Sequence, residues 1–233
     1  MVLLTALIVL QDASLDSRAR MAGALFLGKD GYDPSNRYKA YRSQGIKTYK
    51  GASPDQLRKW LVPVMKGYPS SSVDAIGAAY VMALYNCDTA KNLKWLADNA
   101  KVWWGKNEGQ YWQESLQTAY VDVLLRRQTM NGLKWFLEMP SDGAVAEIKE
   151  SELLRLFALA PKFVWNHMSS SKTERELWLD TLANGWMVPV EKNMPAYYDK
   201  RGIDMGIATL AKTDRANATK LKAEIVKRAK ANG

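Results

Sequence analysis

Leu57-Arg58-Lys59-Trp60-Leu61, Leu93-Lys94-Trp95-Leu96 and Leu133-Lys134-Trp135-Phe136 are three versions of one string. They place a tryptophan in the same apolar frame 35 and then 40 residues apart. A second string, Ala79-Tyr80-Val81-Met82-Ala83-Leu84, returns 40 residues later as Ala119-Tyr120-Val121-Asp122-Val123-Leu124. Two interleaved repeats with one spacing imply a two-helix unit copied along the chain. The expected fold is all-α, a right-handed α-solenoid of about five helical hairpins with a C-terminal capping helix. The repeat tryptophans Trp60, Trp95 and Trp135, with Trp178 near the next due position, are expected in the core.

Helix signals give the boundaries of one helical-repeat domain over residues 1–233: hairpins at 2–28, 53–86, 89–127, 132–166 and 171–211, a basic linker at 29–53, and a terminal helix at 215–231. Ser53-Pro54-Asp55-Gln56 combines an N-cap, a proline at the first helical position and a capping-box glutamine. Asn107 with Gln110, and Ser171 with Glu174, repeat the signal, and Gly105 closes the helix before Asn107. Within the fourth hairpin the helices are expected at Gly132–Met139 and Ser151–Asn166, leaving loops at Pro140–Lys149 and, in the fifth, Met187–Gly202. The terminal helix carries a thin apolar stripe, Ala218, Leu221, Ile225 and Ala229.

The stretch Leu15-Asp16-Ser17-Arg18-Ala19-Arg20-Met21-Ala22-Gly23-Ala24-Leu25 is similar to the second helix of a HEAT unit, where an acidic turn precedes an arginine and small residues. The Ala79 and Ala119 strings resemble the same helix. The chain thus resembles the HEAT and armadillo class of α-solenoids over about two thirds of its length, although a tryptophan in the first helix is not a usual HEAT mark. The resemblance implies a scaffold for proteins, or in a few members for nucleic acid, and no specific activity.

Val2 to Leu10 is apolar except for Thr5. As a signal peptide it would lack a preceding Lys or Arg, and the best cleavage site, after Ala13, follows Gln11 rather than a small residue. As a helix it would have no polar face, so it would want neighbours on several sides, and a preceding repeat would supply one. The helix is the preferred reading, and a preceding repeat beside it would make the chain the tail of a longer array. A cytoplasmic location follows from it, and an extracytoplasmic one if residues 1–13 are a signal peptide. No apolar run reaches the ~20 residues that span a bilayer.

Charge is unevenly placed in this chain of net charge +9. Residues 29–53 hold six basic and two acidic side chains, and residues 212–233 hold seven and two. The remainder is balanced, so the two segments supply the whole excess. Concentrated charge points to an anionic partner more strongly than a high isoelectric point does.

Within the first segment, Arg37, Tyr38, Lys39, Tyr41, Arg42, Lys47, Tyr49 and Lys50 alternate cations with aromatic rings. That pattern suits a nucleic-acid backbone with stacked bases or an acidic protein surface, against the plainer reading of a solvated connection whose tyrosines pack over the repeats. In the second segment Lys220, Lys222, Lys227, Arg228 and Lys230 either bind an anion or solubilise a capping helix. Trp103, Trp104 and Trp112 flank the turn at 105–109. Adjacent tryptophans cannot share one helix face, so an exposed indole is a candidate contact and inter-hairpin packing the alternative.

Catalytic signals are few. The single histidine, His167, is expected as a helix C-terminal cap or a surface residue, where a cation complements the dipole. No His/Cys cluster has metal-ligand spacing, no phosphate- or dinucleotide-binding glycine loop occurs, and Glu147, Glu150 and Glu152 read as a solvated face. Cys87 is the one cysteine, so there is no internal disulfide. Some helical-repeat proteins are DNA glycosylases, which use basic and aromatic surfaces with a carboxylate, but no motif of theirs matches here residue by residue. The expectation is therefore a non-catalytic scaffold without metal or cofactor that binds another protein, with nucleic-acid binding through 29–53 as the alternative and a glycosylase-like enzyme as a remote one. Nothing in the sequence sets an oligomeric state.

Overall fold

A computed structural model describes residues 14–28, 33, 36–103 and 110–232. Helices are the regular structure of the described residues, with no strand among them. Two compact units divide the chain, the first through Ser141 and the second from Asp142. The boundary falls in the turn inside the segment that the sequence pairs as a fourth hairpin. The expected helix at Val2–Leu10 lies outside the described residues.

In the first unit the helices are α1 Leu15–Leu27, α2 Arg42–Lys50, α3 Pro54–Gly67, α4 Val73–Leu84, α5 Thr89–Trp103, α6 Gln110–Arg127 and α7 Met130–Leu137, with a 3₁₀ turn at Lys39–Tyr41. Helix α4 is its centre, buried from Asp74 to Leu84 because a run of Ala, Ile, Gly, Tyr, Val, Met and Leu leaves it no polar face. Helices α1, α3, α5 and α6 all pack on α4, and α1 also touches α6. The α1–α4 crossing is close because Gly77 has no side chain: a Cβ there would sit 2.5 Å from the Ala22 carbonyl carbon.

Both halves of the Ser53 capping box form. The Gln56 amide donates to Ser53 Oγ at 3.3 Å, and the Ser53 amide donates to Gln56 Oε1 at 2.8 Å. The second repeat string is likewise structural. Tyr120 is buried in α6, its ring stacks on Phe136 at 5.4 Å, and its hydroxyl is shared between the carbonyls of Gly132 (3.1 Å) and Leu93 (3.3 Å). One side chain thereby ties α5, α6 and α7 together.

The second unit holds α8 Gly143–Leu159, α9 Pro161–Met168, α10 Lys172–Met187, α11 Lys200–Ala211 and α12 Arg215–Asn232, with a 3₁₀ turn at Ala196–Tyr198. Helix α11 lies against α8 and α12, and α10 also lies along α12. The α11–α8 approach uses Gly206, where a Cβ would meet the Phe157 ring at 2.6 Å. The stripe Ala218, Leu221, Ile225 and Ala229 is the buried face of α12, as its spacing requires.

Several boundaries differ from the sequence reading. The 29–53 linker contains a helix, α2, whose order comes from packing: Tyr49 is fully buried, and Gly45 lets α2 approach Met21 O of α1. The loop expected at 140–149 is helical from Gly143, and the helix expected at 151–166 is two, broken at Ala160. Ala160 takes φ −135° and ψ 54° because a residue before proline is pushed out of the helical region. Of the four repeat tryptophans, Trp60 and Trp178 are buried, but Trp95 and Trp135 are half-exposed. Leu93 and Leu96 take the inward positions of α5, leaving Trp95 on the flank, and Lys94 Nζ lies 5.8 Å from the centre of the Trp135 ring.

Candidate binding surfaces

In the first unit the basic segment divides into groups that build the fold and groups that face solvent. Tyr49 points inward from α2, and its hydroxyl donates to the Arg18 carbonyl at 2.9 Å; burial pushes the phenol well above its ordinary range. The Tyr38 hydroxyl donates to Oδ2 of Asp74 at 3.2 Å, and the same ring covers the open side of Gly23. Asp33 orders the turn by accepting from the amides of Arg37, Tyr38 and Lys39. Arg37 lies over the Tyr38 ring and within 3.7 Å of Asp16 and 3.9 Å of Asp74. The Tyr41 ring lies under the Arg20 guanidinium.

Asp74 is 4% exposed, and burial raises its carboxyl pKa, with Arg37 and the Tyr38 hydroxyl opposing. What remains outward is Arg37, exposed although it lies near Asp16 and Asp74, with Lys39, Lys47 and Lys50, while Arg42 is half-buried. Lys47 and Lys50 occupy the last turn of α2, where cations complement the helix dipole.

The tryptophans at 103 and 112 are not an exposed contact. Trp103 is 1% exposed and Trp112 6%, and their rings meet edge to face at 4.5 Å. Trp103 also meets Trp95 at 6.0 Å. Aromatic edge-to-face packing between α5 and α6 outcompetes exposure. Trp104, Asn107 and the 105–109 turn lie outside the described residues.

In the second unit His167 is buried, not a surface cap. Its Nδ1 accepts the Trp178 indole N–H at 3.4 Å, and Glu174 Oε2 lies 3.8 Å away. Burial lowers its pKa and the Glu174 carboxylate opposes this. Glu152 is also buried rather than solvated; the Arg155 guanidinium pairs with it at 2.6 Å and the Tyr198 hydroxyl donates to its other oxygen at 3.4 Å. Asp199 is fully buried, caps α11, and is clasped by Arg201, whose hydrogen bonds hold its pKa below the usual carboxylate range. Burial pushes the Lys149 amine down to about 8. A sequence reading misses His167 because its partner, Trp178, lies on another helix, and misses Glu152 because Tyr198, 46 residues on, closes over it while Arg155 pairs with it from the same helix. Glu152, four residues before Leu156, falls in line with the inward face of α8, which is the one signal the sequence offers.

The basic terminal helix splits in the same way as the first segment. Arg228 turns inward onto α10, pairing with Glu176 and, at 3.2 Å, with Asp180. Lys222 pairs with Asp204 of α11 at 2.8 Å and lies 5.5 Å from the Trp186 ring centre. Lys220, Lys227 and Lys230 are exposed. Beside them, α11 and α12 leave an open groove of about 690 Å³. Its floor includes Ile207, Ala218, Ala223 and Val226, and its rim carries Arg215, Lys222, Lys227 and Lys230. This apolar floor under a cationic rim has no counterpart in a charge count, since Ile207 comes from a different helix.

Among the described residues no group of three or more His, Cys, Asp or Glu side chains could hold a metal ion, and no helix is long and apolar enough to cross a membrane. No protein-family model, curated protein or solved structure matches the chain.

Proposed function

We propose that this chain is a non-catalytic helical-repeat scaffold, an α-solenoid in the HEAT manner, whose task is to bind an acidic protein partner. The observation that carries the reading is the open α11–α12 groove, an apolar floor edged by cations of which Arg215, Lys227 and Lys230 have no ion-pair partner among the described residues. Apolar area supplies the affinity of such a surface, and rim charge supplies orientation and association rate. The repeat reading draws support from the first unit, where α1 lies on α4, α4 on α6 and α5 on α7, so that equivalent helices of successive hairpins are neighbours. The internal use of His167, Glu152 and Asp199 as braces also fits a scaffold.

Nucleic acid is the second reading, favoured by the outward lysines Lys39, Lys47 and Lys50 around α2. Its weakness is that the aromatic members of the segment are engaged inside the fold, so bases find fewer rings to stack on. Retention of the purified chain on immobilised poly-glutamate and on immobilised duplex DNA, across one salt gradient, separates the two. Later elution from the acidic polypeptide supports the scaffold. Later elution from DNA, lost when Lys39, Lys47 and Lys50 become Ala, makes nucleic acid the partner.

A further inference from the structure

We infer that the α11–α12 groove takes an acidic amphipathic helix of a partner protein. The inference rests on the scaffold reading and adds the shape and chemistry of what binds. The apolar residues that α12 offers there are small: Ala223, which is exposed, and Val226, half-buried, beside the buried Ala218. Small floor side chains allow a second helix to approach closely, which is how helix-in-groove recognition gains its contact area. From Arg215 to Lys230 the groove runs along α12 for ~22 Å, at about 1.5 Å per residue, and so accommodates a helix of about four turns.

The rim sets the charge. Arg215, Lys222 and Lys230 recur at two-turn intervals along the α12 face that also carries Val226, with Lys227 three residues before Lys230. Acidic side chains every second turn of an incoming helix would meet them in register, as flanking charges do in paired helices. Lys222 is already held by Asp204, so Arg215, Lys227 and Lys230 are the rim cations without an ion-pair partner among the described residues.

Other occupants fit less well. A lipid surface is gripped by bulky apolar side chains that insert, and this floor is built of alanine, valine and isoleucine. No aromatic ring lines the groove to stack a base. A second copy would bring its own net charge of +9 to a basic surface.

The test is fluorescence anisotropy with the full chain and a labelled 16-residue synthetic helix bearing leucines at i, i+4, i+7 and i+11 flanked by glutamates, about four turns long. A scrambled peptide of the same composition and phosphatidylserine vesicles serve as comparison probes. Ala223→Arg adds a positive charge but fills the floor, and Lys227→Glu with Lys230→Glu reverses the rim; thermal melts of both variants check folding. We expect the helix to bind, and the scramble and both variants to weaken binding by at least about tenfold. An unchanged affinity in Ala223→Arg, equal binding of the scramble, no binding of the helix, or vesicle binding in its place overturns the inference. If it fails while poly-glutamate retention persists, the scaffold reading stands with a different surface; if retention is lost as well, both fall.

Discussion

The indole N–H of Trp178 donates to Nδ1 of His167, so the only histidine of the chain is held as a neutral acceptor between α9 and α10. Protonation would replace that acceptor with a second donor facing the indole. Burial lowers the imidazole pKa below its ordinary value, with Glu174 pulling the other way. The group therefore stabilises the fold above about pH 6.5, the ordinary unfolded value, and the contribution is lost as pH falls through the lower folded value. NMR titration of His167 is expected to give a midpoint below that of a free histidine. A midpoint at or above it would mean that Glu174, not burial, dominates.

The Tyr38–Asp74 bond predicts an asymmetry inside the basic segment. Tyr38→Phe leaves a buried carboxylate oxygen without its donor and should cost about 1–3 kcal/mol of stability. Lys39→Ala, one residue on and exposed, should leave the melt of the first unit unchanged. Equal and small effects would return the segment to a solvated connection.

A third expectation concerns Gly77. Adding a methyl group drives a Cβ to 2.5 Å from the Ala22 carbonyl carbon, so either α1 or α4 must move. Gly77→Ala should destabilise the first unit by about 1–3 kcal/mol, as overpacking does, despite the better helix propensity of alanine. Thermal denaturation followed by circular dichroism reads this directly, and a gain in stability would contradict the close crossing.

The two kinds of cation on α12 should behave differently. Arg228→Ala removes pairs to Glu176 and Asp180 and a bond to the Glu176 carbonyl, so the second unit should melt at a lower temperature. Lys227→Ala removes an exposed charge and should not shift the melt. A matching drop in both would place Lys227 among the structural cations.

These contrasts show what the sequence could convey. Local signals read well: the Ser53 and Ser171 caps, the buried stripe of α12 and the helical class all depend on residues within a few positions of one another. Features fixed by distant contacts did not. Helix α2 has only Ile46 and Tyr49 as large apolar residues and owes its order to α1. His167 looked like a cap until Trp178 supplied its partner, and Glu152 like a solvated acid until Tyr198, 46 residues on, closed over it. Trp103 and Trp112 lie on separate helices, so their mutual burial has no local signature. The repeat tryptophans marked the frame of each helix correctly, but only Leu93, Leu96, Leu133 and Phe136 marked its inward face around Trp95 and Trp135. The groove is invisible in sequence for the same reason: Ile207 and Ala211 of α11 join a lining otherwise drawn from α12.

The most direct measurement of the central claim is hydrogen–deuterium exchange of the full chain with and without the acidic amphipathic helix. Binding in the groove predicts added protection over α11 and α12, concentrated between Ile207 and Lys230, with the α2 segment unchanged. Protection confined to residues 37–50, or none anywhere at saturating peptide, would contradict it.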